Sequence, residues 1–369
     1  KKLNFIDIFS GCGGFSCGLE LAGHRCLLGV DSDKYAIETF SLNHKHAKVF
    51  NHPIEQLDQL TLQSLLGNQK IDMVVGGPPC QGFSTVGRGK VDDDRNKLFM
   101  HFVKVVGWIK PKILILENVT GLLAEKNSPV LKKIFKKFES LGYTMTARIL
   151  SAENYGAPTH RRRTFIVGTL GLDPQNIYPV MKKKLVTIGE AWNSGIATKS
   201  KDVFNHEIHK ARILNTLELA RIKHIPEGKG IRYKDDEEQY FPKKLQLGIN
   251  WSKLPEKRLR QKKYHRLDRN KISPTVMTSS RTYYHPIEHR YLTIREVAAL
   301  QSFPPEFAFK GSYTSMYRQI GNAVPPLVAK AFGEQIAQLE LDKKCNPKKS
   351  VVDLNHLRSK AFRYQEELH

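Results

Sequence analysis

One cysteine is set apart by its surroundings. Cys80 lies in Gly76-Gly77-Pro78-Pro79-Cys80-Gln81-Gly82-Phe83-Ser84, where prolines stiffen the chain and glycines loosen it. Such a loop can hold a thiol in a fixed direction, although a lone cysteine also serves as a small buried hydrophobe. The run Lys112-Ile113-Leu114-Ile115-Leu116 reads as a strand that delivers Glu117-Asn118-Val119, and a carboxyl beside a thiol suits nucleophile and acid chemistry. Upstream, Asp7-Ile8-Phe9-Ser10-Gly11-Cys12-Gly13-Gly14-Phe15 has glycines that permit a tight turn and a close approach to a ligand, or simply a structural turn. Asp31 ends the next strand, where its carboxylate can accept from both ribose hydroxyls or cap the helix that follows. Loop and acid together indicate an adenosine-containing cofactor, without deciding between a dinucleotide and S-adenosylmethionine.

These groups need a scaffold that brings strand ends to one edge. From Leu3 to Thr169, short apolar runs alternate with helix-period segments, the pattern of a mainly parallel α/β sheet covered by helices. Strands are predicted at Leu3–Phe9, Cys26–Val30, Ile71–Val75, Lys112–Leu116, Thr144–Leu150 and Thr164–Gly168. Helices are predicted at Lys34–Leu42 and at Pro129–Leu141. In the second, Ser128 caps, Leu131, Ile134, Phe135 and Phe138 share a face, and Gly142 terminates. Beyond Tyr178 the sequence is irregular, Lys-rich and Pro-punctuated, which marks a smaller lobe or long insertion. Helices return at Thr293–Ser302 and Pro326–Leu339. The expected organisation is a first domain over 1–178, a second lobe over 179–305, a return over 306–345 and a charged tail over 346–369.

Bulk composition narrows the partners. The 369 residues contain 59 Lys plus Arg against 36 Asp plus Glu, a net charge of +23 that favours a polyanion such as nucleic acid, or serves as a solubilising surface. No apolar run is long enough for a membrane span, and no export signal is visible. Five cysteines without a CxxC pair argue against a disulfide framework and a zinc cluster, so a reducing compartment and no metal are expected. Monomer is the default state.

Taken in order, these segments resemble the C5-cytosine DNA methyltransferase family from about Leu3 to Leu339, the variable lobe excepted. Asp7–Phe15 resembles its cofactor loop, Gly77–Gln81 its Pro-Cys segment and Glu117-Asn118-Val119 its acidic segment. Arg161-Arg162-Arg163 resembles the arginine segment, and Arg295-Glu296 and Gln319-Ile320-Gly321-Asn322-Ala323-Val324 resemble the last two. The resemblance implies a Rossmann-like S-adenosylmethionine-dependent methyltransferase sheet with a smaller target-recognition lobe. It implies Cys80, Glu117, Arg161 and Arg163 as catalytic residues acting on a cytosine flipped out of duplex DNA. It places S-adenosylmethionine against Asp7, Phe9, Ser10, Gly11, Gly13, Gly14, Phe15, Asp31, Ser32, Pro78, Asn322, Ala323 and Val324. Ser84, together with Arg258, Arg260, Lys262 and Lys263 of a basic run in the variable lobe, is the candidate DNA contact, a solvated charged face being the other reading of that run. A restriction-modification role and a stand-alone regulatory enzyme are equally compatible readings, with a cytoplasmic, nucleoid-associated location in a prokaryote or a nuclear one in a eukaryote.

The sequence departs from the family pattern twice. Thr159 stands where the arginine segment usually opens with Gln, and the acidic residue that would meet the adenine amino group is replaced near Asn51-His52-Pro53. A family branch that methylates transfer RNA characteristically carries a Cys-Phe-Thr segment in its target lobe, but this chain has no cysteine between Cys80 and Cys345. A catalytically dead DNA-binding scaffold is disfavoured by Cys80, Glu117, Arg161 and Arg163, and a dinucleotide oxidoreductase leaves the Pro-Pro-Cys loop unexplained.

Overall fold

The computed structural model describes residues 1–78, 95–124, 127–182, 184–193, 206–254, 262–340 and 350. The chain divides into two compact units: unit 1 is Lys1–Gly156, Arg161–Lys184 and Ala323–His369, and unit 2 is Ala157–His160 and Leu185–Asn322. The return to unit 1 thus comes at Ala323 rather than at the expected residue 306, because the segment before it packs as helices inside unit 2.

Unit 1 is built on seven strands: β1 (Asn4–Ile8), β2 (Arg25–Val30), β3 (Lys48–Phe50), β4 (Met73–Gly76), β5 (Ile113–Val119), β6 (Thr144–Ser151) and β7 (Arg162–Thr169). Their order is β3-β2-β1-β4-β5-β7-β6. The first five pair in parallel, and β7 inserts antiparallel between β5 and β6. Central strands are buried on both faces, which is why they read as continuous apolar runs. β3 was not expected: it has only three residues, none fully buried, so it carries too little apolar pattern to be read.

Between the strands run α1 (Gly14–Leu21), α2 (Lys34–Asn43), α3 (Gln59–Leu66), α4 (Arg95–Ile109) and α5 (Ser128–Glu139). Leu62 of α3, Phe102 of α4 and Phe138 of α5 join one core with Val74, Leu114 and Ile166 of the sheet. The neighbour of Ile166 on β7, Phe165, points to the opposite face. There it meets Phe15 of α1, with ring centroids 6.5 Å apart. In α5, Leu131, Ile134, Phe135 and Phe138 are buried as the spacing predicts, and Gly142 follows at φ 93. Ser128 does not cap it. It is the first helical residue, and Asn127 at the cap position spends its side-chain amide on the Gly121 carbonyl.

Unit 2 holds α6 (Ile188–Asn193), α7 (Thr216–Ile222), α8 (Lys234–Tyr240), the short pair β8 (His265–Arg266) and β9 (Tyr283–Tyr284), α9 (Ile294–Leu300) and α10 (Tyr313–Asn322). Its core gathers Ile222, Ile225, Ile231, Phe241, Tyr284 and Tyr291. Arg295, with no exposed surface, donates to the carbonyls of Pro304 and Phe307, and Glu296 closes a capping box with Thr293. Thr159 is also enclosed, its hydroxyl donating to the Pro274 carbonyl at 3.0 Å. The chain then returns to unit 1 as α11 (Pro326–Ala337), which crosses α1 so closely that a Cβ on Gly18 would lie 2.1 Å from the Pro326 carbonyl oxygen. Phe332 of α11 stacks obliquely on Phe165, centroids 5.1 Å apart.

Candidate active site

Strand register alone brings four loops to one edge. Ile8 of β1 pairs with Val30 of β2 and with Gly76 of β4, and Gly76 pairs with Leu116 of β5. The strands are parallel, so the next residues along each chain, Phe9, Asp31, Gly77 and Glu117, lie in one layer at the carboxyl edge, where β5 alone runs on against β7. Ligands of open parallel sheets bind there.

The loop after β1 is held open from two sides. Phe9 and Gly11 lie at φ 62 and 53, so the chain turns sharply before α1 begins after Gly13. Gly11 N–H donates to Asp31 Oδ2 at 2.8 Å, and Asp33 N–H donates to Asp31 Oδ1 at 2.9 Å. The cap of α2 is therefore Asp33, which accepts from Tyr35 and Ala36, and Asp31 is the strut between the glycine loop and β2. A Cβ on Gly13 would collide with the rings of His44 and Phe40, so the loop needs glycine there for space as well as for its φ of 92. Ser10 is buried, and its hydroxyl has no partner among the described residues.

Two of the expected cofactor residues lie deeper. Asp7 is 1% exposed and accepts from the Ser16 hydroxyl at 2.7 Å. Burial raises its carboxyl to about 7, opposed by the Ser16 hydroxyl and reinforced by Asp31. Phe15 packs in the core against Phe165. Both brace the loop from behind. Gly14 opens α1, Ser32 is exposed beside Asp31, and Asn51 donates through its amide to the Asp31 carbonyl at 3.0 Å. Asn322 ends α10 in unit 2, whereas Ala323 and Val324 open the return of unit 1.

On the other side of the edge, Asn118 donates through its side-chain amide to the Pro78 carbonyl at 3.1 Å, and its Oδ1 accepts from Val119 N–H at 2.8 Å. This amide ties the end of β5 to the chain entering the Pro-Cys loop. Sequence reasoning gave Asn118 no role of its own. Pro78 is the last described residue of that loop, and Cys80 and Ser84 lie outside the described residues, as do Arg258 and Arg260.

Glu117 and Arg163 meet because of the antiparallel register. Glu117 pairs with Phe165 and Val119 with Arg163, so Glu117 and Arg163 are diagonal neighbours on one face. Arg163 Nε lies 3.0 Å from Glu117 Oε1, both side chains being largely buried. Arg161, two residues earlier, is 3% exposed; burial and then Arg163 lower its guanidinium pKa, while Glu117 raises it. A carboxylate, two guanidiniums and the stem of the Pro-Cys loop therefore converge within unit 1. Of the expected DNA contacts, Lys263 is exposed and Lys262 is half-buried, its ammonium donating to the Gly228 carbonyl at 3.3 Å.

Among the described residues no cluster of three or more His, Cys, Asp or Glu could hold a metal, and no helix is long and apolar enough to cross a membrane.

Comparison with known proteins gives a consistent result. A family model of C-5 cytosine-specific DNA methylases matches residues 3–338. The chain is 32% identical over 349 residues to the type II methyltransferase M1.HphI of Haemophilus parahaemolyticus, covering 92% of this chain and 87% of that one. It is likewise 32% identical over 380 residues to M.DdeI of Desulfomicrobium norvegicum, covering 91% and 88%. A crystal structure described as a prophage-encoded DNA modification methyltransferase from E. coli superposes with a TM-score of 0.72 at 27% identity, covering 93% and 100%.

Proposed function

The chain belongs to the C-5 cytosine-specific DNA methylase family and is an enzyme of the type II DNA methyltransferase kind, and from that membership we propose that it methylates carbon 5 of a flipped-out cytosine in duplex DNA through a covalent bond to Cys80. The observation that carries this reading is the layer of Gly77 and Glu117, with Arg163 against Glu117 and Asn118 fastening Pro78.

The residues after β1 and β2 fit S-adenosylmethionine. The unpartnered buried hydroxyl of Ser10, the turn at Gly11 and the carboxylate of Asp31 offer polar contacts at a helix start, and Phe9, Ser32, Pro78, Ala323 and Val324 are further candidates to hold it. When bound, it supplies an electrophilic methyl group.

Carbon 5 of cytosine is too poor a nucleophile to be methylated unaided. The thiolate of Cys80 adds to carbon 6, forming an S–C6 bond and moving electron density onto carbon 5. Glu117 hydrogen-bonds or protonates N3 and stabilises the resulting enamine. Arg163, with Arg161 beside it, donates to the cytosine O2 and provides a positive field that favours the thiolate. After carbon 5 has gained its methyl group, loss of its proton breaks the S–C6 bond and regenerates Cys80. Carbon 6 is inaccessible in a stacked duplex, so the base turns out at a cost of about a few kcal/mol, which phosphate contacts offset.

The test uses labelled S-adenosylmethionine with duplex DNA and transfer RNA in separate reactions, followed by location of the methylated base. Label on cytosine carbon 5 of DNA is expected, and label only in RNA overturns the substrate assignment. Cys80→Ala is expected to abolish transfer, and full turnover by that variant overturns the covalent mechanism. Duplex DNA with 5-fluorocytosine at the target is expected to trap the wild-type chain, because fluorine cannot leave as the proton does.

A further inference from the structure

Unit 2 contains a second concentration of positive charge, arranged by backbone pairing rather than scattered over its surface. Ile231 and Lys263 exchange both backbone hydrogen bonds at 2.8 Å, and Arg266 N–H donates to the Lys229 carbonyl at 3.0 Å. Between these contacts Tyr264 sits at φ 50, so one residue is inserted in the manner of a bulge, a device that re-aims the side chains beside it. The two segments approach so closely that only glycine fits at 230. A Cβ there would lie 2.9 Å from the Lys263 carbonyl oxygen and 3.0 Å from the His265 Cα.

This pairing brings like charges together. Lys262 feels the positive charge of Arg232, Lys229 and Lys271, and Asp236 is the carboxylate that opposes them. Asp236 is already engaged, one oxygen accepting the backbone N–H groups of Arg232 and Tyr233. Lys271 has Asp268 at 3.7 Å, but the buried Nε of Arg232 has no partner among the described residues. Holding like charges this close costs free energy that an anionic partner would recover. In the middle of them His265 packs edge-on to Tyr283, ring centroids 5.4 Å apart. Burial, Lys262 and Arg232 lower its pKa to about 4, so at neutral pH the ring is uncharged, with one donor and one acceptor nitrogen.

We propose that the paired segments Lys229–Arg232 and Lys262–Arg266 grip the DNA backbone through Lys229 and Arg232, and that His265, set among those cations, reads a base edge. Two paired extended segments can enter the major groove of a duplex. Cations position the protein on phosphates without reading sequence, whereas a neutral ring with one donor and one acceptor discriminates bases. The inference rests on the DNA-methylating reading above and adds which residues of unit 2 meet the duplex and in which role.

Binding of a labelled duplex is measured by fluorescence anisotropy over a salt series, and the sites methylated in a plasmid are mapped by sequencing. The double variant Lys229→Ala, Arg232→Ala is expected to lower the slope of log affinity against log salt by about 1.8, with the methylated sequence unchanged. Arg232→Lys in place of Arg232→Ala is expected to restore about half of that loss, which separates lost charge from misfolding. His265→Ala is expected to keep the wild-type slope yet methylate sites that differ at one base pair, discrimination there dropping about tenfold or more. An unchanged slope in the double variant, or an unchanged site pattern in His265→Ala, overturns the inference. A wild-type chain that leaves DNA unmethylated overturns the function on which it rests, a distinct outcome.

Discussion

Glu117 is subject to two opposed demands. Arg163 Nε holds one of its oxygens at 3.0 Å, whereas its proposed task is to hydrogen-bond or protonate cytosine N3. Glu117→Gln keeps the shape and removes the proton-transfer capacity, so methyl transfer is expected to fall by about 10²–10⁴-fold while duplex binding stays near wild type. Single-turnover assays beside anisotropy check this. Asp7 gives a second prediction at this scale. Its folded pKa of about 7 lies above the roughly 3.9 of an unfolded aspartate. Between these values the folded chain keeps a proton that the unfolded chain has released, so its contribution to stability is full below about pH 4 and is lost as pH rises through 7. Asp7→Asn removes that dependence. From pH 5 to pH 8, wild-type unfolding free energy is expected to drop by about 2–3 kcal/mol more than that of the variant, read from urea titrations.

At the scale of elements, the crossing of α1 and α11 depends on Gly18. Replacing a helix-interior glycine by alanine gains about 1 kcal/mol of helix propensity on an open surface. Here the new Cβ would meet the Pro326 carbonyl oxygen at 2.1 Å and the Ala329 Cβ at 2.5 Å, and neither is the free end of a flexible side chain. Overpacking of this kind costs about 1–3 kcal/mol, so Gly18→Ala is expected to lower stability overall in urea unfolding, despite the propensity gain. Six of the seven strands of unit 1, and α2, α5, α9 and α11, were legible in the sequence, whereas α3, α4, α6, α7, α8 and α10 were not assigned from it. The apolar runs of β1, β2, β4, β5, β6 and β7 and the amphipathic spacing of α5 carry strong periodicity. What escaped was local competition. β3 is too short to carry a pattern, and Asn127 takes a carbonyl partner that leaves Ser128 inside the helix.

For the whole molecule, the sequence marked the four loops that register gathers at the sheet edge, because their glycines and acids are unusual for strand ends. It could not tell which side chains of one motif turn inward. Asp7 and Phe15 belong to the same short motif as Ser10 and Gly11, yet they face the interior. That distinction depends on which side of the turn each side chain leaves, a property of backbone angles such as the φ of 62 at Phe9. The net charge of +23 pointed to a polyanion without placing it. Its arrangement in unit 2 depends on the close approach at Gly230, which no spacing rule reveals.

The crossing of α1 by α11 also sets an order of events during synthesis. α11 emerges from the ribosome roughly 300 residues after α1, a gap of about 15–60 seconds at 5–20 residues per second. Throughout that interval the inner face of α1 lacks the helix that covers it in the finished chain. Most of unit 2 is a continuous stretch, Leu185–Asn322, and is complete before α11 has been made. α1 thus waits for a segment made about 300 residues later, and a ribosome that stops within unit 2 leaves that face of α1 uncovered.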